Sequence, residues 1–332
     1  MTEITDVKSY IHLAEIEITY KCNLDCEHCY NKQDRAKRDM SFENIIRLIQ
    51  ELSNEPIQKL VITGGEASLH PDFERLCNYI KDNRKKSFSN VRHFVLQSNG
   101  FIEKYSIELL KAFDIMHLSY DIDENELRDI NSSNIEELAE KLNNEGLFAY
   151  LFCTLHKKNI AFIDSIIERV VSKKLYTAFN FCVDANSIDP SFILSNIEKR
   201  DLTIKLIECE KNEYIRVFKH PYAAIIRNNQ SSGYIGNKGG CTAGIASLIL
   251  DSEGELMPCP FLRIKCGNVL KKSIKYVWLN SKELSLIRNR GKYNKCGDCR
   301  FVSYCGGCRG SAYKITGSLM GQDNDCFVDI HI

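Results

Sequence analysis

Eleven of the fifteen cysteines fall into two dense groups, and their spacing constrains this chain more than any other feature. Three lie between Cys22 and Cys29, and eight lie between Cys241 and Cys326. Cys77, Cys153, Cys182 and Cys209 are scattered between them. A disulfide framework belongs to small secreted domains. This chain has 332 residues and an odd cysteine count. Its first ten residues carry Glu3, Asp6 and Lys8 and show no apolar signal-peptide core. Reduced thiols in a cytoplasmic setting are therefore expected, and tight thiol spacing then points to metal.

The rest of the composition is ordinary for a globular chain, with 44 % hydrophobic and 27 % charged residues. At about 150 residues per domain the length suggests two domains. Forty-four basic and 44 acidic side chains cancel, which leaves no electrostatic footprint for duplex nucleic acid. The longest uncharged run, Gly239 to Leu250, is 12 residues, against the roughly 20 apolar residues of a membrane span. Neither nucleic acid nor membrane is expected as a partner.

Apolar strands alternate with amphipathic helices through the first half. Strands are predicted at Glu15–Thr19, Leu60–Thr63, His93–Gln97, Ile115–Tyr120, Phe148–Thr154 and Ala178–Val183. Helices are predicted at Phe42–Leu52, Phe73–Lys81, Ser106–Ala112, Ile135–Leu142 and Phe162–Val171, with Ser41 capping the first. This is an α/β pattern with a parallel sheet, six βα units rather than the eight of a closed barrel. Three regions follow: a partial barrel over 11–185, a bridging stretch over 186–240 and a Cys-rich domain over 241–332. The bridging stretch shows one helix-like segment near Leu202–Cys209. In the last region Ser247–Leu250, the turn 251–254 and Glu255–Met257 read as a β-hairpin, and Ile274–Arg288, with the single tryptophan Trp278, reads as one helix. Residues 291–332 hold too little apolar surface to pack alone, so something besides a core must staple them.

Cys22, Cys26 and Cys29 form C-x3-C-x2-C directly after the first strand. Three thiolates can hold one corner of a [4Fe–4S] cubane and leave its fourth iron without a protein ligand. A structural zinc site completed by His28 or a distant ligand is the competing reading. Gly64-Gly65-Glu66 follows the second strand. Glycines admit a close backbone approach, the carboxylate suits an ammonium group, and ligand sites collect at this end of parallel strands.

These residues resemble the radical S-adenosylmethionine (radical SAM) enzymes, over about residues 12–185. The resemblance implies a partial (β/α)6 TIM-like barrel in which Cys22, Cys26 and Cys29 hold the cluster. The open iron would chelate the methionyl amino and carboxyl groups of SAM, with Gly64, Gly65 and Glu66 orienting the amino group. One electron would then cleave the S–C5′ bond, giving methionine and a 5′-deoxyadenosyl radical that abstracts a substrate hydrogen. Asn99 in Gln97-Ser98-Asn99-Gly100, and Ser119 and Asp121, match further cofactor-binding positions of that family. The chain departs from the family at Ala67, Ile122 and Asn131, with Arg128 the candidate substitute for the arginine expected at 131.

The second cysteine group resembles the SPASM auxiliary-cluster domain, over about 241–328. Its elements are Cys241, Gly254 and Cys259, then Cys296-x2-Cys299-x5-Cys305-x2-Cys308, then Cys326. The resemblance implies two auxiliary iron–sulfur clusters, a distal one on Cys296, Cys299, Cys305 and Cys326 and a proximal one on Cys241, Cys259 and Cys308. The fourth proximal position is Ser247 here, so either Cys266 completes the site or it stays open. Such clusters would staple the segment and accept the electron released when a substrate radical collapses. Two zinc sites are the competing reading. Cys153 and Cys182 on predicted strands are read mainly as core thiols, with a hydrogen-donor role if they face the barrel interior.

A SPASM extension mostly accompanies enzymes that act on ribosomally made peptides, so a cross-linking maturase is the leading expectation (thioether, C–C or C–O). A ribosomally synthesised precursor peptide and a flavodoxin- or ferredoxin-type reductant are the implied partners. The barrel begins near Ile11, so leader recognition would fall to a separate peptide-binding protein or to the barrel surface. Peptide epimerisation and haem or tetrapyrrole side-chain chemistry are alternatives within the family. Outside it stand a non-catalytic iron–sulfur electron carrier and a zinc-binding module.

Overall fold

Parallel strands alternate with helices through the first half, and this alternation organises the molecule. A computed structural model describes residues 10–121, 132–183, 188–217, 221–230, 240–303, 305–323 and 326. Ile122, Arg128 and Asn131 lie outside the described residues.

The chain runs β1 (Leu13–Thr19), α1 (Phe42–Leu52), β2 (Ile57–Gly64), α2 (Phe73–Asn83), β3 (Val91–Ser98), α3 (Ile107–Leu110) and β4 (Ile115–Ser119). It continues with α4 (Ser132–Asn144), β5 (Phe148–Leu155), α5 (Ile163–Ser172) and β6 (Thr177–Phe181). Ala14, Ile16 and Ile18 of β1 are fully buried with Leu60, Ile62, Phe94, Leu96, Met116 and Leu118 against Ile45, Leu48 and Ile49 of α1. Strands β1 to β6 pair in parallel in chain order, as in a partial barrel. The intervening residues of β1, Glu15 and Glu17, fall on the opposite face by the two-residue period. Cys153 joins Leu151 and Leu155 in the helix-side core, which removes it from the barrel interior. Cys182 packs instead with Ile188 and Phe192.

The bridging stretch carries more structure than its sequence pattern suggests: α6 (Asn196–Cys209), β7 (Ile215–Val217) and α7 (Pro221–Gln230). Helix α6 starts six residues before the predicted segment because Ser195 and Glu198 form a reciprocal capping box. Strand β7 extends the parallel sheet beyond β6.

The hairpin β8 (Ser247–Leu250) and β9 (Glu255–Met257) forms at its predicted residues. Asp251 shapes its turn by accepting the N–H groups of Glu253 and Glu255 at 3.0 and 2.7 Å. Strand β8 pairs in parallel with β1, so the C-terminal region continues the same sheet, closed at its edge by β10 (Gly267–Asn268). The single helix predicted over 274–288 is two, α8 (Ile274–Asn280) and α9 (Lys282–Arg288). Ser281 breaks it: its backbone is extended and its hydroxyl accepts the Leu284 N–H, so it ends one helix and caps the next. Helix α10 (Arg309–Thr316) follows the last tight cysteine cluster.

Candidate active site

The cysteine loop leaves the C-terminal end of β1 and is stitched to the end of β2 by backbone bonds. Gly65 N–H donates to the Thr19 carbonyl and Glu66 N–H to the Lys21 carbonyl, both at 2.8 Å. The Asn31 side-chain amide donates to the Gly64 carbonyl at 3.1 Å. A Cβ on Gly64 would stand 2.0 Å from the Thr19 oxygen, and one on Gly65 would stand 2.4 Å from the Lys21 oxygen. Both positions therefore require glycine, and the φ of +147° at Gly64 adds a second reason.

Cys22, Cys26 and Cys29 are in no disulfide and are partly exposed. Cys22 Sγ accepts the Leu24 N–H at 3.4 Å and faces the Asn99 side-chain amide at 3.6 Å. Burial pushes the Cys22 thiol up, opposed by the Leu24 N–H. A group of thiols held this way becomes anionic on binding metal, and the N–H donors then stabilise the sulfur charge. Three such thiols beside a glycine-lined backbone suit a cluster that keeps one iron free for a small ligand.

Glu66 turns its carboxylate onto the neighbouring strand ends. It is fully buried and accepts from Ser68 N–H and Oγ–H, from Ser98 Oγ–H and from Asn99 N–H. Its carboxyl is pushed up by burial and held down by those donors. The side chain thus joins the ends of β2 and β3, and the backbone of residues 64–66 faces the loop.

Asn99 stands beside Cys22 and bonds Asn23 at 2.9 Å. Ser119 ends β4, and Asp121, two residues on, lies 3.4 Å from His28 Nε2. Residues from the ends of β1, β2, β3 and β4 therefore converge on one loop. Two residues before Ser119, the His117 ring lies tilted against Phe152 with ring centres 4.7 Å apart, and burial lowers its imidazole to about 3, so it stays neutral.

The C-terminal thiols form two neighbourhoods. Cys259 and Cys308 lie within electrostatic reach of Cys241, and Cys305 within reach of Cys326 and Cys296, while Cys299 packs against the cluster of Ile225, Phe301 and Cys305. Burial pushes Cys259 and Cys305 up to about 12. Cys305 Sγ accepts the Gly307 N–H at 3.2 Å, and Cys299 Sγ accepts the Phe301 N–H at 3.5 Å. Gly306 and Gly307 have φ of +69° and +67°, so the turn between Cys305 and Cys308 favours glycine at both positions. Cys266 is buried in the core cluster that also holds Val277 and Trp278, and its thiol, pushed up to about 12 by burial, donates to the Ile264 carbonyl at 3.8 Å. Among the described residues no three His, Cys, Asp or Glu side chains enclose a point for a single metal ion. No described helix is long and apolar enough to cross a membrane.

Sequence reasoning missed a buried ionic hub beside this loop, made of Glu17, Tyr20, Asp34, Lys37, Asp251 and Arg263. Its one visible signal was a pair of acids, Glu15 and Glu17, two apart in a strand between buried neighbours.

Residues 16–169 match the radical SAM superfamily, and residues 241–300 match the SPASM iron–sulfur cluster-binding domain. The chain carries a radical SAM domain followed by a SPASM domain and is a radical SAM enzyme that uses SAM and [4Fe–4S] chemistry. It is 24 % identical to the AdoMet-dependent heme synthase of Methanosarcina barkeri, over 93 % of this chain and 94 % of that protein. It is also 24 % identical to the antilisterial bacteriocin subtilosin biosynthesis protein AlbA of Bacillus subtilis, over 89 % of this chain and 66 % of that one. Streptococcus suis SuiB, solved bound to precursor peptide SuiA, superposes with a TM-score of 0.77 at 17 % identity, over 96 % of this chain and 76 % of that chain.

Proposed function

We propose that this enzyme modifies a ribosomally made precursor peptide, forming an intrapeptide cross-link. In this reading Cys22, Cys26 and Cys29 hold the SAM-binding cluster, and the Gly64–Glu66 backbone, Asn99, Ser119 and Asp121 surround the cofactor. Bound there, the cluster and SAM supply one-electron cleavage of the S–C5′ bond and hydrogen abstraction from the substrate. This chain's residues set the geometry: Gly64 and Gly65 let the β2 end press against the loop, and Glu66 fixes β3 so that Asn99 reaches Cys22.

The proposal assigns Cys296, Cys299, Cys305 and Cys326 to a distal auxiliary cluster, and Cys241, Cys259 and Cys308 to a proximal one. Cys266 is left as a core thiol, which keeps the proximal site open to a substrate donor. Residues 11–185, 186–240 and 241–332 act as barrel, bridge and auxiliary domain. A flavodoxin- or ferredoxin-type reductant, a separate leader-binding protein and a cytoplasmic setting complete the reading.

The observation that carries the chemistry is the backbone stitching of the three-cysteine loop to Gly64-Gly65 at the C-terminal strand ends. AlbA and SuiB, named for bacteriocin biosynthesis and precursor-peptide binding, support a peptide substrate. A second reading, tetrapyrrole side-chain modification, is favoured by the near end-to-end match to a heme synthase. Anaerobic co-expression with the short open reading frames beside the gene, followed by mass spectrometry, separates them. A peptide lighter by two hydrogens supports the cross-link. Unchanged peptides with haem precursors consumed support the second reading.

A further inference from the structure

Arg263 belongs to the C-terminal region, yet its guanidinium is spent entirely on the barrel and the segment after the cysteine loop. Nη1 and Nη2 donate to the two carboxylate oxygens of Glu17 at 3.0 and 2.8 Å. Nη2 also meets the Tyr20 hydroxyl at 2.8 Å, and Nε pairs with Asp34 at 2.7 Å. Tyr20 donates in turn to Glu17. Lys37 pairs with Asp34 and with Asp251 of the hairpin turn, both at 2.9 Å. The side chains of Glu17 and Arg263 are 1 % and 11 % exposed, so the pair is largely desolvated.

The hub sits where it can govern the loop. Tyr20 lies two residues before Cys22. Asp34 lies in a one-turn helix whose first residue follows Asn31, the residue bonded to Gly64. On the other side, Arg263 directly follows a tight turn, Cys259 to Leu262, closed by the Leu262 N–H to Cys259 carbonyl bond at 3.2 Å. Phe261 within that turn packs edge-on to Tyr30, next to Cys29, at 5.5 Å between ring centres.

We propose that Arg263 is a positioning residue that makes the geometry of the Cys22–Cys29 loop depend on the Cys259 turn of the C-terminal region. That these two segments hold iron–sulfur clusters rests on the proposed function; the coupling itself is between two segments of polypeptide. Arginine suits the task because its planar fork serves two oxygens of Glu17 and still leaves Nε for Asp34, which one ammonium cannot do.

The test is hydrogen–deuterium exchange on the metal-free chain under anaerobic, reducing conditions, comparing wild type with R263Q, R263K and the double variant E17Q/R263M. Pairing of β8 with β1, and the bonds from Arg47 to the Val269 and Leu270 carbonyls, hold the C-terminal region independently of Arg263. Exchange over residues 21–37 is expected to rise about tenfold in R263Q while α1 and β3 stay as in wild type. R263K should fall between the two. E17Q/R263M relieves the unpaired buried charge, so it should recover the melting temperature but keep the loop unprotected. If R263Q does not fold, that double variant decides. Full loop protection in either R263Q or the double variant would overturn the proposal, since Arg263 would then only neutralise Glu17. Because no SAM or iron is present, a chain that shows the coupling but never cleaves SAM would refute the proposed function alone.

Discussion

Glu66 and Asn99 are 33 residues apart, and the backbone N–H of Asn99 donates to the Glu66 carboxylate at 2.8 Å. The same carboxylate takes Ser98 and Ser68, so one buried side chain ties the ends of β2 and β3 and aims Asn99 at Cys22. Glu66→Ala strands these donors away from water. Each unsatisfied buried group costs about 1–3 kcal/mol, and partial relaxation sets the expected loss at about 2–4 kcal/mol. Denaturant unfolding of the metal-free chain measures it, and unchanged stability would show that the carboxylate is not holding the two strands.

Gly65→Ala places a methyl group 2.4 Å from the Lys21 carbonyl, a backbone atom that cannot rotate away. The loop must lift from β2. Iron and sulfide bound after anaerobic reconstitution should fall by one cluster's content while the auxiliary clusters remain. Wild-type iron content in Gly65→Ala would mean that the close approach is dispensable.

Cys266 is buried in the same core cluster as Trp278, and the proposed function leaves it out of the ligand set. Cys266→Ala is expected to keep the full iron content and to cost about 1–2 kcal/mol of stability from the lost packing. Cys308→Ala should lose iron. Iron lost from Cys266→Ala to the same extent would return that thiol to the ligand set.

Burial, reinforced by the Glu17 carboxylate, pushes the Glu15 carboxyl up to about 7. The folded chain therefore binds this proton more tightly than the unfolded chain does. Its contribution is fully present below the ordinary carboxyl range and is lost as pH rises from about 4.5 to about 7, at up to ~1.4 kcal/mol per pH unit. Denaturant unfolding at pH 5 and pH 8 should show that decline in the wild-type metal-free chain and a smaller one in Glu15→Gln. Equal slopes would remove Glu15 as the source.

Local signals carried most of the architecture. Helix α1 forms at its predicted residues because its apolar stripe is strong and Ser41 accepts the Asn44 N–H. The hairpin at 247–257 is as legible, since its turn chemistry sits in four consecutive residues. The break at Ser281 was hidden because apolar periodicity runs through it and only the hydroxyl's bond to Leu284 interrupts the helix. Thiol spacing pointed to both cysteine groups. The direction of the Glu66 side chain was not readable, because it depends on where β3 ends. The pairing of Glu17 with Arg263 spans 246 residues, and no periodicity encodes a contact of that separation.

The account depends on a cluster corner that three thiols hold and a fourth ligand from the polypeptide does not complete. The direct measurement is electron paramagnetic resonance of the anaerobically reconstituted, dithionite-reduced enzyme with and without SAM, read beside chromatography of the products. The account predicts a [4Fe–4S] signal that changes when SAM is added, together with methionine and 5′-deoxyadenosine. Zinc in place of iron and sulfide, or a signal indifferent to SAM with SAM recovered intact, would contradict it.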